Sequence, residues 1–293
     1  MPYNDIVARL IVPERRSCVL AARFFGGGLL ALAMAGAADR LLGALPFPQS
    51  FAAVLVLGAS LLGISALSFV TAGEPPAPPP PPGAHNFLRF LSAGVVVFRT
   101  DRLFRLFVYV QWLGGAVSMA LPFYVLQATE AGASASDVPV LLAAQTVGAL
   151  VSNPLWGWWG DARGKRSLLE IVAAGGAVAP LLTLCWITTG GSGAATPLPW
   201  FAVTFVVLGA VGNGGTIAYL GYLMEISPDD RRPAYSGYFN ALIAPAAFLP
   251  LAGAALVEAK SYAWVFAASG IAALLQFLMV RRLRLADEQR RKP

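Results

Sequence analysis

The chain has 293 residues, of which 57% are hydrophobic and only 12% are charged, and its net charge at pH 7 is +6. Soluble domains carry about 25% charged residues, so this composition excludes a hydrated surface over most of the chain and indicates a protein that lies in lipid. The positive charge does not require a nucleic-acid partner, because anionic membrane surfaces attract basic segments.

Eight apolar runs are long enough to cross a membrane, since a spanning helix needs roughly 20 apolar residues. We number them predicted spans 1 to 8 in chain order, and they cover residues 18–39, 51–72, 103–128, 138–159, 167–189, 200–224, 234–258 and 262–281. The predicted fold class is therefore all-α, a polytopic membrane helix bundle with about eight transmembrane helices.

The basic residues favour one end of the predicted spans. The loops after spans 3 and 5 contain no Lys or Arg, and only Arg40 and Lys260 lie at the same end of the other spans. The remaining Lys and Arg residues lie at the opposite ends, which the positive-inside rule assigns to the cytoplasm. We therefore expect a multi-pass protein of the plasma (inner) membrane with both termini in the cytoplasm.

A proline-rich segment divides the chain. Residues 73–83 read GEPPAPPPPPG, and consecutive prolines lack amide donors and hold an extended backbone. The predicted organisation is a segment with two spans, a cytoplasmic linker, a segment with six spans and a basic cytoplasmic tail, at residues 1–72, 73–102, 103–282 and 283–293. Within the linker, residues 87–98 are apolar but too short to span. They form either a helix on the membrane interface or the frayed start of span 3.

A short repeat precedes two pairs of spans. Residues 13–25 read PERRSCVLAARFF and residues 228–239 read PDDRRPAYSGYF. Each segment has a proline, one or two acids and an Arg-Arg pair, and each is followed by two predicted spans. This arrangement favours two homologous halves, of which the first lacks its opening helices, and many membrane transporters are built from such repeats.

The loop between spans 4 and 5 is charged, although it lies between two long apolar runs. Residues 157–169 read GWWGDARGKRSLL, and this loop resembles the conserved loop of the major facilitator superfamily, roughly Gly-x-Leu-Ala-Asp-Arg-x-Gly-Arg-Lys-x-x-Leu. The positions that match in type and spacing are Gly157, Asp161, Gly164, Lys165 and Arg166. The departures are Trp159, Gly160 and Ala162, with Arg163 one place later than the usual arginine.

The resemblance implies a twelve-helix carrier in which spans 3–8 form the complete second half and spans 1 and 2 end the first. The chain is then expected to lack the first four transmembrane helices, with Met1 an internal methionine, a mispredicted start or the start of a truncated relic. We expect such a chain to be deficient in transport on its own.

The resemblance also implies a conformational latch in this loop. Its residues are Gly157, Asp161, Arg163, Gly164, Lys165 and Arg166, and its expected partners are Glu225, Asp229, Arg231 and Arg232. Asp161 is expected at the positive N-terminus of span 7, with Lys165 and Arg166 reaching Glu225 or Asp229. The alternative is a short loop that only follows the positive-inside rule.

The predicted function is a secondary membrane transporter of a small solute by alternating access. Carriers of this kind hold the solute near the middle of the membrane, where polar side chains face a cavity. The candidate cavity residues are Gln111, Tyr124, Gln145, Asn213 and Asn240. Each of them could instead join two helices.

Spans 3–8 carry no acid at mid-depth, so the sequence names no coupling ion. We expect no catalytic residue, metal site, cofactor or nucleic-acid partner, only a small-molecule solute and the bilayer. The alternatives are a membrane-embedded lipid-modifying enzyme and a non-transporting membrane assembly protein. An enzyme would need convergent acids or an activated nucleophile.

Overall fold

A computed structural model of the chain describes residues 10–71, 87–191, 196–229 and 231–291. The predicted proline-rich segment and the last two residues of the predicted tail lie outside the described residues. Within them, eight helices are long and apolar enough to cross a membrane. Spans 1 to 8 are Pro13–Ala44, Gln49–Ser68, Arg102–Glu130, Val138–Ala162, Lys165–Thr189, Leu198–Ile226, Arg232–Ala259 and Tyr262–Leu283. The predicted all-α bundle of eight membrane helices is confirmed.

Five of the spans are built on single helices, which are Arg16–Ala44, Gln49–Thr71, Val138–Ala162, Leu198–Ile226 and Tyr262–Arg291. The other three spans are broken near their middle. Span 3 consists of Arg102–Ser118 and Leu121–Glu130, span 5 of Lys165–Gly175 and Val178–Thr189, and span 7 of Arg232–Ile243, a 3₁₀ segment Ala244–Phe248 and Leu249–Ala259. Prolines stand at the start of each second piece, where a missing amide hydrogen interrupts the helical hydrogen bonds.

Aromatic side chains fill the core at the end of the bundle that carries Asp161, which we call the Asp161 end. The ring of Phe107 in span 3 stacks on Phe239 in span 7 at 5.0 Å between centroids and meets Tyr222 in span 6 edge-on at 5.1 Å. A second buried cluster occupies the opposite end, where Tyr124 lies 4.9 Å from Phe266. These clusters hold spans 3, 6, 7 and 8 together over the full depth of the bundle.

Spans 4 and 6 approach each other closely because glycines face the neighbouring backbone. A Cβ atom on Gly148 would overlap the carbonyl of Val206, and one on Gly209 would overlap the carbonyl of Gln145. The indole of Trp156 also donates to the carbonyl of Ala210 at 2.8 Å. Such close contact between backbones is how membrane helices associate without a hydrophobic driving force.

Spans 1 and 2 lie beside this six-span unit. Span 1 packs along span 4, and span 2 packs on span 1. Spans 2 and 7 are the least covered by other helices. In the 18-residue apolar stretch of each, 6% of the residues are buried, against 44% in span 5. Span 7 therefore presents an open face, on which Phe248 and Leu251 are 69% and 67% exposed.

The apolar segment before span 3 forms a helix of its own, Phe87–Thr100. It is separated from span 3 by Asp101, whose backbone is extended (φ −88°, ψ 104°) and whose carboxylate accepts the amide of Phe104 at 3.1 Å. Phe90 packs on Tyr238 at the start of span 7, with 4.6 Å between ring centroids. Of the two alternatives, the structure has the separate helix. Its position on the membrane interface stays a prediction.

Candidate functional site

The carboxylate of Asp161 caps the first turn of span 1. Its Oδ1 accepts the backbone N–H of Ser17 at 2.9 Å and its Oδ2 accepts that of Cys18 at 2.8 Å. These amides belong to the first turn of helix Arg16–Ala44, where N–H groups have no partner within the helix. Both carboxylate oxygens are thus used on a helix N-terminus more than 140 residues away in the chain.

The expected position of Asp161 at the start of span 7 is wrong in this structure. Span 1, not span 7, packs along span 4. Two glycines of the loop sequence allow this close approach. A Cβ atom on Gly157 would lie 2.8 Å from the Cβ of Ala21, and one on Gly160 would overlap the side chain of Ser17. Gly157 therefore allows close packing against span 1.

Gly164 and Lys165 complete the reversal between spans 4 and 5. Gly164 has φ +88° and ψ 151°, a conformation essentially restricted to glycine, and it stands immediately before the first helix of span 5. Lys165 is only 7% exposed. Its ammonium group donates to the carbonyl of Pro13 and lies 3.6 Å from Oδ1 of Asp161. The loop therefore holds the start of span 1 through a carboxylate and an ammonium group.

The same end of the bundle has a cavity of about 480 Å³ between spans 1, 4, 5, 6 and 7. Its charged lining residues are Glu14, Arg16, Asp161, Lys165, Glu225, Asp229 and Arg232. Three of the expected latch partners, Glu225, Asp229 and Arg232, thus share a cavity with Asp161 and Lys165. Arg232 is 5% exposed and forms an ion pair with Asp229.

The remaining expected latch residues lie outside the lining of this cavity. Arg163 is exposed, and its guanidinium lies 4.6 Å from the ring of Trp159. Arg166 is half-buried on span 5, and Arg231 is exposed just before span 7.

Sequence reasoning did not assign Ser17, Cys18 and Pro13 to the site. Their signal was present, because they belong to the segment PERRSC that resembles the start of span 7.

Two of the five predicted solute-cavity residues line cavities near the middle of the spans. Gln111 lines a cavity of about 430 Å³ between spans 3 and 7. Tyr124 lines a second cavity of about 90 Å³ between spans 3, 5 and 6. Ser118 and Leu121, at the break of span 3, line both. The two cavities are therefore adjacent and separated by this break.

The other three predicted cavity residues line neither of these cavities. Asn213 donates from Nδ2 to Oδ1 of Asn153 at 3.2 Å, which joins span 6 to span 4. Asn240 donates to the carbonyl of Ser236 in its own helix at 2.8 Å. Gln145 is half-buried on span 4, where its backbone carbonyl faces Gly209. The alternative of structural hydrogen bonding describes Asn213 in this structure.

A comparison with protein-family models gives one match, which decides the family. Residues 114–293 match the model of the Major Facilitator Superfamily. The chain belongs to the major facilitator superfamily. No curated protein sequence matches the chain. The family match runs from the middle of span 3 through span 8, so it covers most of the residues that line the two cavities. The protein is accordingly a multi-pass membrane protein and a membrane transporter of the major facilitator kind, a family that moves small solutes.

Proposed function

We propose that the protein is a secondary transporter that moves a small solute by alternating access, with the contact between Asp161 and the start of span 1 stabilising one of its two conformations. The observation that carries this proposal is the double cap, in which both oxygens of one carboxylate accept backbone amides of Ser17 and Cys18. The cap joins spans 1–2 to spans 3–8, which the proline-rich segment separates in the sequence.

The strength of this contact suits a reversible latch. A helix N-terminus carries roughly half a positive charge, and an anion placed there gains about 0.3–1 kcal/mol, or up to about 2 kcal/mol when partly buried. Asp161 and Lys165 are both shielded, with side chains 14% and 8% exposed. A contact of this size, made in only one conformation, biases a two-state equilibrium about twofold to thirtyfold without locking it.

The repeated segment supports an arrangement of the spans in two halves. The segment that Asp161 caps, PERRSC, resembles the start of span 7, and each is followed by two spans. We propose that spans 1 and 2 correspond to the last two spans of a first half and that spans 3–8 form the second. The open face of span 7 is then the surface that faces opening helices of a first half.

We further propose that the protein lies in the plasma (inner) membrane, with the Asp161 end and both termini on the cytoplasmic side. The support is the distribution of basic residues, because the ends of spans 4 and 8 and the starts of spans 1, 5 and 7 hold Lys or Arg. Cytoplasmic loops of membrane proteins carry this excess.

The proposal is tested by the accessibility of Gln111, which lines the larger central cavity. Gln111→Cys is placed in a chain whose Cys18 and Cys185 are replaced by serine, and a membrane-impermeant maleimide is added from either side of oriented vesicles. Accessibility is the readout because it requires neither a known solute nor a complete two-half cavity.

Alternating access predicts labelling from both sides, with Asp161→Asn raising the rate from the Asp161 side and lowering it from the other. Leu62→Cys, on the exposed face of span 2, is the control and is labelled from neither side because lipid covers it. Labelling of Gln111→Cys whose rates do not respond to Asp161→Asn would contradict the proposal.

A further inference from the structure

The small cavity between spans 3, 5 and 6 lies where two helix breaks meet. Span 3 is interrupted after Ser118 and span 5 after Gly175, and both breaks are near the middle of their spans. Ser118, Gly175 and Gly176 all line the cavity of about 90 Å³, together with Tyr124 and Gly212. Backbone that leaves the helical pattern at membrane depth is tolerated where it lines a cavity or is buried in protein.

Each break leaves a carbonyl group without its helical donor. Pro122 follows Ser118 by four residues and Pro180 follows Gly176 by four residues. A proline has no amide hydrogen, so neither carbonyl can accept the usual hydrogen bond from the residue four positions later. The two residues that carry these acceptors, Ser118 and Gly176, line the same cavity.

The side chains that line the small cavity indicate which chemical group of a ligand could bind there. Among the described residues that line this cavity, the side chains are apolar apart from Ser118 and Tyr124, and none is charged. A charged group would be buried there without a partner, at a high cost. A neutral N–H or O–H group, by contrast, can donate to the two carbonyl groups whose helical donors the prolines remove.

The adjoining cavity, an open groove between spans 3 and 7, fits an apolar body. It has about 430 Å³ and is lined mainly by apolar residues of spans 3 and 7, with Gln111 and Ser118 as its polar contributors. Since Ser118 and Leu121 line both cavities, one molecule can occupy them together, and the larger volume is within the range of small-molecule sites.

We propose that the two cavities form one binding site for a neutral amphipathic molecule. Its apolar part lies between spans 3 and 7, and its N–H or O–H donor enters the small cavity to bind the carbonyl groups of Ser118 and Gly176. This inference names the solute class of the proposed transporter and rests on that function.

The test uses two ligands of the same size that differ in one donor. Indole has an N–H group where indene has a CH₂ group. Equilibrium binding of each radiolabelled ligand is measured on the full chain in lipid nanodiscs, with empty nanodiscs subtracted. We expect indole to bind about tenfold more tightly than indene, since a buried acceptor left unpaired is costly.

Three proline variants test the two carbonyl groups directly. Pro122→Ala and Pro180→Ala each supply the missing amide hydrogen, so we expect each to reduce the preference for indole. In the double variant we expect the ratio of the affinities for indole and indene to be close to one. Pro154→Ala is the control for loss of a proline, because Pro154 lies inside the continuous helix of span 4 and outside the lining. We expect it to leave the preference unchanged.

Filling the small cavity is an independent variant. A Cβ atom on Gly212 meets no atom within 4 Å, so Gly212→Leu occupies the cavity without a backbone clash and abolishes the preference. Gly63→Leu in span 2 is the matched control, since its Cβ also meets open space but Gly63 lies outside the lining of the cavity. Equal binding of the two ligands, no saturable binding of either, or a preference that survives in the double proline variant would overturn the site.

The labelling of Gln111→Cys separates this inference from the proposed function. Reciprocal labelling together with equal ligand binding would overturn the binding site and leave the transporter proposal standing. Labelling that does not respond to Asp161→Asn, together with a preference for indole, would retain the site and contradict alternating access.

Discussion

The carboxylate of Asp161 accepts the backbone amide of Cys18 at 2.8 Å, so the loop between spans 4 and 5 caps the helix of span 1. The second carboxylate oxygen accepts the neighbouring amide of Ser17 at 2.9 Å. Two further contacts stabilise this double cap. The glycines of span 4 allow span 1 to pack closely, and the ammonium group of Lys165 donates to the carbonyl of Pro13. Each of these supports can be tested by a substitution.

The positive φ of Gly164 predicts a strained loop in Gly164→Ala. A side chain in this region of φ and ψ costs about 1–3 kcal/mol, so we expect a lower free energy of unfolding and a raised labelling rate of Gln111→Cys from the Asp161 side. Gly132 is the matched control, because it has φ +106° in the loop at the opposite end and its Cβ also meets open space. Gly132→Ala should lower stability without changing the labelling. Equal labelling in both variants would show that the Gly164 turn does not position the latch.

Asp161 and Lys165 are predicted to act as one unit, since their side chains contact each other and both hold span 1. Asp161→Asn, Lys165→Met and the double variant are compared by their free energies of unfolding. Removing either residue leaves the charge of its shielded partner uncompensated. We therefore expect the double variant to lose less free energy of unfolding than the two single variants lose in sum, with a coupling energy of about 0.5–3 kcal/mol. Lys260→Met is the control for loss of a cation, because Lys260 is exposed at the opposite end. Additive losses would mean that the two residues act independently.

Asn213 is predicted to stabilise the protein through Asn153 and not through the solute. Asn213→Ala removes the hydrogen bond at 3.2 Å to Asn153, which is fully buried. Hydrogen bonds between membrane helices average about 0.6 kcal/mol, with a maximum of about 1.7 kcal/mol, and we expect the free energy of unfolding to fall within this range.

Asn240→Ala is the control for Asn213→Ala, since the Asn240 amide bonds only within its own helix as far as the structure describes its contacts. It should have a smaller effect on unfolding. If Asn213→Ala abolished indole binding at unchanged stability, Asn213 would instead belong to the solute site, as the sequence predicted.

Phe90 is predicted to fix helix Phe87–Thr100 on span 7. Its ring contacts Tyr238 at 4.6 Å, and its tip would lie 2.9 Å from a Cβ atom on Gly237. An aromatic pair is worth about 0.5–1.5 kcal/mol beyond its buried area. Phe90→Ala should therefore raise hydrogen exchange at the amides of this helix by about twofold to twelvefold. Val96→Ala is the control on the same helix, because Val96 is 57% exposed. Unchanged exchange in Phe90→Ala would show that other contacts hold the helix.

The number and order of the spans were predictable because membrane helices leave a strong local signal. Each span needs about 20 apolar residues, and all eight predicted runs coincide with spans of the structure. The breaks were not predicted, although Pro122 and Pro180 mark two of them. A proline within an apolar run does not determine the outcome, since the helix of span 4 continues through Pro154.

The charged loop was predictable from its residues, but its partner was not. Gly157, Asp161 and Gly164 match the loop of the family in type and spacing, and this match located the candidate latch. Which helix start reaches the Asp161 carboxylate depends on which span packs against span 4, and this is a contact between distant parts of the chain. The pairing of Asn213 with Asn153 was missed for the same reason.

The most direct test of the latch is the distance between spin labels at Val12, before span 1, and Arg282, at the end of span 8, both of which are exposed. Pulsed electron paramagnetic resonance in lipid nanodiscs gives the distance distribution. The account predicts two populations in the native chain and a shift towards the longer distance in Asp161→Asn. Asp137→Asn is the matched control, since within the described part of the chain Asp137 caps its own loop at Ser134, and it should leave the distribution unchanged. A single population that Asp161→Asn does not alter would contradict the account.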